Sequence, residues 1–346
     1  MEITSNAPLA ELSTMHLGGV AAHMATVTTR MELLEALSWA QTNGNLPVIM
    51  VGTGSNIIWR DEGFAGLVIV NKIMRYEMFE EDENNVYITA GSGENWDSVV
   101  ARTVEAGLSG IEALSLIPGT TGATPIQNVG AYGQEISNVL VTIEAFDVQE
   151  GDFVTIPASE GGFGYRHSRF NTTDHGRFYI TAITMHLTKA TPQPPFYAAL
   201  QTYFEAQNIA AFTPAIVRQA VIAIRTSKLP NPGTVHNSGS FFANPIVDQA
   251  RINELNFQYG KFPYWTVGGG SYKLPAAWLI QQAGYKDFHD PETGMATWSS
   301  QPLVLVNETA KTTADLLLFK QKIVDAVHAK FGITLVQEPE LLPKQD

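Results

Sequence analysis

The sequence predicts a mixed helix-and-strand protein of two or three domains, and three observations carry that prediction. The chain is 346 residues long, more than one hydrophobic core organises comfortably. Hydrophobic residues make up 45% and charged residues 16%, the balance of a folded globular chain rather than a disordered one. Segments of helical period alternate along the chain with short apolar runs of strand length.

The elements follow in order. Thr29-Arg30-Met31-Glu32 has the spacing of a capping box, hydroxyl and carboxylate each satisfying a backbone N–H. Leu33, Ala36, Leu37 and Ala40 recur at helical spacing, and Asn43-Gly44 ends the helix. Residues 48–51 form a strand leading into the turn Gly52-Thr53-Gly54-Ser55-Asn56, and residues 67–70 form another. A strand at 86–90 meets the turn Gly91-Ser92-Gly93. The next helix buries Trp96, Val99, Val100, Thr103 and Val104 and stops before Gly107. Residues 117–133 show neither period. A loop of that length in a compact domain is functional or disordered, and its few charges and several apolar residues argue for function. Strands at 139–148 and 178–187 follow. Thr213-Pro214 opens a helix with Ile216, Val217, Ala220, Val221 and Ile224 on its buried face. Beyond Pro230-Asn231-Pro232-Gly233 the sequence predicts a helix at 276–283, a strand at 303–306, a helix at 314–330 and a strand at 333–336.

Composition excludes several functions. The 34 acidic and 21 basic residues give a net charge of −13, which repels phosphate backbones and disfavours nucleic acid as a partner. Cysteine is absent, so disulfides, thiolate metal sites and thiol nucleophiles are out. No apolar run reaches the roughly 18 residues needed to span a bilayer, and no secretory leader is visible at the N-terminus. These readings place the expected protein in the cytoplasm, without membrane insertion. The eight His are scattered, and no metal site is expected. The two Gly-x-Gly turns fail the dinucleotide fingerprint, because Ile57 and Trp96 stand at the third glycine position and would block helix packing. Glycine-rich turns still present consecutive N–H groups to an anion.

Residues 116–133, Leu-Ile-Pro-Gly-Thr-Thr-Gly-Ala-Thr-Pro-Ile-Gln-Asn-Val-Gly-Ala-Tyr-Gly, closely resemble a motif of the UDP-N-acetylenolpyruvoylglucosamine reductases. Five more segments resemble the same family in order: Thr14-Met15-His16-Leu17-Gly18-Gly19, Val51 to Asn56, Phe163-Gly164-Tyr165-Arg166-His167-Ser168, Gly239-Ser240-Phe241-Phe242-Ala243-Asn244-Pro245, and Leu335-Val336-Gln337-Glu338-Pro339-Glu340. They run from about residue 14 to 340. Departures are local: Met15 where an aromatic is common, Val20 or Ala21 where Pro often sits, and Thr53 where a third Gly is usual. Pro194-Pro195-Phe196-Tyr197 lies where one subclass carries a substrate-gripping tyrosine loop, so the resemblance implies that type I subclass.

The resemblance implies a two-part FAD-binding region of the vanillyl-alcohol-oxidase/PCMH type plus a C-terminal α+β substrate-binding domain. The parts are expected at 1–70 with 339–346 returning, 71–229, and 230–338. It implies FAD as cofactor, NADPH as reductant and UDP-N-acetylglucosamine enolpyruvate as substrate, in a protein expected to be a monomer. The implied reaction reduces the enolpyruvyl ether to the lactyl ether of UDP-N-acetylmuramate. Arg166 and Glu338 would flank the substrate carboxylate and Ser240 would deliver the proton. Gly52, Thr53, Gly54, Ser55, Asn56, Pro118, Gly119, Thr120, Thr121, Gly122, Ala123, Gln127, Asn128, Gly130, Ala131 and Tyr132 would hold FAD. Tyr197 and Lys228 would hold the diphosphate and uridine portion, with Asn244 and Gln301 on the same nucleotide or sugar. Plainer readings stand beside these. Arg166 alone reads as a surface ion pair, Ser240 as a turn hydroxyl and Glu338 as a solvated acid. Lys228 equally compensates a helix dipole, and Tyr132 equally packs a loop. Another FAD oxidoreductase on the same fold, or a non-catalytic sugar-nucleotide or FAD binder, remains open at this point.

Overall fold

A computed structural model describes residues 1–344. The chain divides into two compact units. The first holds Met1–Ala7, Ala21–Thr53 and Phe64–Ser227; the second holds Pro8–Val20, Gly54–Gly63 and the residues from Lys228 on.

The first unit contains two sheets. One runs in the order Ile3–Pro8, Val20–Val27, Phe64–Asn71, Val48–Val51, with Phe64–Asn71 parallel to both of its neighbours. Helix Arg30–Thr42 covers it, burying Leu33, Ala36 and Ala40 against Ala25, Val27, Leu67 and Ile69. Thr29 Oγ1 accepts the Glu32 N–H at 3.1 Å, as the spacing predicts. The Glu32 carboxylate reaches one residue further than the capping box requires, accepting the Thr28 N–H at 2.6 Å and its hydroxyl at 2.7 Å. The extended backbone before the N-cap puts Thr28, with its hydroxyl, in the better place.

The other sheet is antiparallel, in the order Asp152–Pro157, Leu140–Asp147, Phe178–Thr188, Asn85–Gly91, Tyr76–Glu80. Helix Trp96–Glu105 packs on it through Trp96, Val99, Val100 and Val104. Tyr179 sits among the core residues of the first sheet and donates its hydroxyl to Val48 O at 3.2 Å. Burial pushes that hydroxyl up to about 12. Helices Ala198–Ala206 and Pro214–Lys228 form a further apolar layer, in which Leu200, Phe204, Val217, Ala220 and Val221 meet Ala113.

The second unit is built on an antiparallel sheet in the order His236–Ser240, Gln301–Asn307, Met295–Trp298, His289–Asp290. Helix Thr313–Phe331 lays Leu316, Phe319, Ile323, Val327 and Phe331 on the core with Phe241, Phe242, Leu335 and Met15. Its N-terminus is doubly capped. Thr312 Oγ1 accepts the Asp315 N–H at 3.1 Å, and the Asp61 carboxylate accepts the N–H groups of Thr313 and Ala314 at 2.7 and 2.9 Å.

The strand expected at 333–336 is not one. Ile333 and Leu335 are buried and Thr334 and Val336 exposed, as alternation predicts, but the segment joins no ladder. Among the described residues the Ala243 N–H reaches it, bonding Val336 O at 2.9 Å. Alternation reports which side chains are buried and is silent about whether a neighbouring strand exists. The terminal strand comes later. Glu340–Leu342 pairs parallel with Ile57–Trp59, within the 1–70 stretch. Gln345 and Asp346, the end of the expected returning segment, lie outside the described residues.

Candidate active site

In the first unit the Gly91-Ser92-Gly93 turn supports the long loop. The N–H groups of Thr121 and Gly122 bond Glu94 O and Ser92 O at 2.9 and 3.0 Å, and the Trp96 N–H bonds Gly119 O at 3.1 Å. A Cβ on Gly122 would stand 2.5 Å from the Ser92 Cβ, and one on Gly52 would stand 2.3 Å from Thr120 Oγ1. These two glycines are therefore needed for the loop and the Gly52 turn to close on each other and on their support. The Ala123 and Thr124 N–H groups go to Thr120 O and Thr121 O. The amides of Thr121, Gly122 and Ala123, three of the residues expected to hold the cofactor, thus hold the loop's own shape.

The Arg166 turn is tied to that loop. Gly164 and His167 exchange backbone hydrogen bonds at 2.9 and 3.1 Å, with Tyr165 and Arg166 at the tip. Arg166 takes φ +55°, a left-handed conformation that costs a residue with a Cβ and persists only where the surroundings impose it. They do so from three sides. Asn128 Nδ2 donates to Gly164 O at 3.1 Å, Asn171 Nδ2 donates to Arg166 O at 3.2 Å, and Ser168 Oγ donates to Ile126 O at 2.6 Å. The guanidinium lies half-buried, with Nη2 on Gly130 O at 3.1 Å. Asn128 also donates to Glu135 Oε2 at 2.8 Å and accepts the Ser137 N–H at 3.1 Å. Its buried side chain is a strut, and its N–H is on Pro125 O at 3.3 Å.

Tyr132 stands at φ +49° beside the helical layer. Its ring meets Tyr197 edge to face at 5.9 Å. Its hydroxyl bonds Arg225, and burial raises it above its ordinary value. Burial pulls the Arg225 guanidinium below its own. Tyr197 is exposed and immediately precedes helix Ala198–Ala206. Asp97, on helix Trp96–Glu105, takes Arg218 in two bonds of 2.6 and 2.9 Å and the Leu116 N–H at 2.5 Å. That carboxylate locks the start of the loop to helix Pro214–Lys228.

In the second unit the backbone segments that carry Ser240 and Glu338 meet. Ser240 ends its strand opposite Val304, after a register shift at which Gly239 takes φ +70°. The next residue, Phe241, donates its N–H to Leu303 O at 2.8 Å and accepts the Glu338 N–H at 2.9 Å. Gln337 bridges Phe242. Asn244 Oδ1 accepts the Ala276 N–H at 2.9 Å, satisfying the first amide of helix Ala276–Gln282. Gln301 starts its strand opposite Trp298, and Lys228 is the exposed last residue of helix Pro214–Lys228. In the Gly52–Asn56 turn, Gly54 packs its Cα against Leu12, where a Cβ would lie 2.0 Å from the carbonyl oxygen. Gly54 O accepts the Thr14 N–H at 3.1 Å, and Asn56 O accepts the Glu340 N–H at 2.9 Å.

The residues present fit a large polar cofactor. Three buried side-chain atoms lack a hydrogen-bond partner among the described residues: Arg225 Nε in the first unit, and Thr14 Oγ1 and Ser238 Oγ in the second. Buried polar atoms are otherwise satisfied as a rule, so each suits a bound group that supplies the missing partner. Thr14 and Ser238 are close along the backbone, because the Asn237 N–H bonds Thr14 O at 3.0 Å. Sequence reasoning gave neither a role. A lone hydroxyl carries no signal until its burial is known.

Known proteins match this chain along its length. Residues 21–156 match the family model for an FAD binding domain, and residues 231–342 match the model for the C-terminal domain of UDP-N-acetylenolpyruvoylglucosamine reductase. The UDP-N-acetylenolpyruvoylglucosamine reductase of Alcanivorax borkumensis is 40% identical over 338 residues, covering 98% of this chain and 96% of that one. The protein of the same name from Ralstonia nicotianae is 38% identical, with 97% and 98% covered. The crystal structure of the Thermus caldophilus UDP-N-acetylenolpyruvylglucosamine reductase superposes with a TM-score of 0.68 over 99% of this chain and 100% of that one. At 22% identity that structure speaks for the fold.

Proposed function

The chain belongs to the UDP-N-acetylenolpyruvoylglucosamine reductase family, and from that premise we propose how its own residues perform the family's reaction. It is an FAD-dependent oxidoreductase that uses NADPH to reduce UDP-N-acetylglucosamine enolpyruvate to UDP-N-acetylmuramate in peptidoglycan precursor synthesis. Bound FAD supplies the hydride transfer, from NADPH to the terminal methylene carbon of the enolpyruvyl group.

Negative charge then develops on the adjacent carbon and spreads into the carboxylate. The planar fork of Arg166 pairs with that carboxylate, its backbone strain supported by Asn128 and Asn171. Glu338 flanks the same carboxylate. Ser240 gives the proton to the carbon. The observation that carries this reading is the Glu338 N–H on Phe241 O, one residue from Ser240. It brings the backbone carrying Glu338 to within one residue of Ser240, which supports a shared role for the two.

FAD is held by Gly52, Thr53, Gly54, Ser55, Asn56, Pro118, Gly119, Thr120, Thr121, Gly122, Ala123, Gln127, Asn128, Gly130, Ala131 and Tyr132. Tyr197 and Lys228 take the diphosphate and uridine portion, with Asn244 and Gln301 on the same nucleotide or sugar, in the manner of the type I subclass. The functional parts are 1–70 with the terminal segment, 71–229 and 230–338. The protein is a cytoplasmic monomer; among the described residues no helix is long and apolar enough to cross a membrane.

The deciding experiment is turnover. NADPH oxidation should depend on the enolpyruvyl sugar nucleotide, with the lactyl product forming in step. Flavin reoxidised by oxygen alone, with no lactyl product, would replace this reading by an oxidase on the same fold.

A further inference from the structure

We propose that Lys320, acting through Gln337, is a positioning residue for Glu338. The inference rests on the reading of Glu338 as an active-site acid. Lys320 lies on helix Thr313–Phe331 between two anchors, Phe319 and Ile323, whose side chains are fully buried in the core. The helix is itself fixed at its start by the Asp61 carboxylate. Lys320 is half-buried and donates from Nζ to Gln337 Oε1 at 3.3 Å. The amide nitrogen of Gln337 donates in turn to Pro339 O at 2.6 Å. One side chain therefore spans Glu338, tying the residue before it to the residue after it, and the lysine ties that span to the helix.

The backbone completes the frame. The Glu338 N–H is on Phe241 O, the Ala243 N–H is on Val336 O, and Gln337 bridges Phe242. Among the described residues, 333–336 join no ladder, and on the far side of Glu338 pairing resumes at Glu340–Leu342, so ladder bonds are few where Glu338 sits. The Lys320–Gln337–Pro339 chain supplies tertiary restraint in their place. Burial lowers the Lys320 ammonium from its ordinary value. A half-buried cation kept at such a cost, on an amide that itself spans the acid, serves geometry better than solubility.

The test uses the full-length holoenzyme with each half-reaction followed by stopped flow. Lys320→Met keeps length and volume while removing the donor; Gln337→Leu removes the span. Each should leave flavin reduction by NADPH and the substrate KM near wild type. Each should slow reoxidation by the enolpyruvyl substrate about tenfold, the scale of a small misplacement of a reacting group. Lys320→Arg should recover much of the rate. The double variant should be no slower than either single one, because both break one chain of contacts. Wild-type reoxidation in both single variants would overturn the proposal. So would equal losses in both half-reactions together with a fall in Tm, which would mark Lys320 as merely structural. Glu338→Gln, run in parallel, separates the premise from the inference. If it reoxidises at the wild-type rate, the premise falls and the inference with it. If it is slow while Lys320→Met and Gln337→Leu are normal, the premise stands and only Lys320's role is lost.

Discussion

Ser240 is a hydroxyl at the bulged end of a strand, and nothing about a lone serine makes it an acid. Its tethering to Glu338 through Phe241 is what distinguishes it. Ser240→Ala should fold and take up FAD, and NADPH should still reduce the flavin. Reoxidation by substrate should fall by about 10²–10⁴-fold, the worth of a positioned general acid. Ser240→Cys should keep more activity than Ala; a wild-type rate in Ser240→Ala would return the residue to the status of a turn hydroxyl. Asn128 offers a contrasting test. Its side chain serves the Gly164 carbonyl, Glu135 and the Ser137 N–H, so Asn128→Ala should cost about 1–3 kcal/mol for each buried group left unpaired. Thermal melts of the apoprotein would show it, whether or not FAD is added. The identity of Arg166 is legible in its motif, but its left-handed backbone is not. That φ is imposed by Asn128 and Asn171, which lie 38 residues before it and five after.

Helix Trp96–Glu105 shows how an element serves a loop. Asp97 takes both Arg218 nitrogens and the Leu116 N–H. Burial alone would raise the Asp97 carboxyl, but the Arg218 hydrogen bonds outweigh it and leave the group below its ordinary value. An acid depressed in the folded state adds stability above its unfolded pKa, about 3.9. That contribution is lost as pH falls through the folded value. Wild-type stability should therefore drop more steeply below about pH 4 than that of Asp97→Asn. At neutral pH Asp97→Asn should itself be less stable by about 1.5–3 kcal/mol, a charge-assisted interaction lost from a partly exposed pair. Equal slopes in urea melts across pH 2–6 would refute the assignment. The helices at 30–42, 96–105, 214–228 and 313–331 were readable because their apolar faces and caps are local. Helix Gln249–Tyr259 was not, since it buries only Ile252 and Leu255 and its polar faces leave no period to read.

At the scale of the whole molecule, FAD should stabilise what it binds. Free FAD at about 100 times its Kd adds about 2.7 kcal/mol to unfolding if the unfolded chain does not bind it. The melting temperature should therefore rise with FAD and fall on its removal. A preparation whose Tm ignores FAD, and which takes up none, would refute the cofactor assignment for this chain. Sedimentation at micromolar concentration should give the mass of one chain, 37.7 kDa. The sequence by itself determined the mix of helix and strand, the capped helices and the order of six motifs, because these depend on neighbours a few residues apart. Its family motifs also pointed to Arg166, Ser240 and Glu338. The tertiary structure alone decided that residues 333–336 join no sheet, that the Ser240 and Glu338 segments meet, and that Lys320 reaches Gln337. It alone left the Thr14 and Ser238 hydroxyls buried without partners among the described residues. Those facts join residues from 17 positions apart, as in Lys320 and Gln337, to hundreds, and a hydrogen bond between separate segments leaves no periodicity in either one.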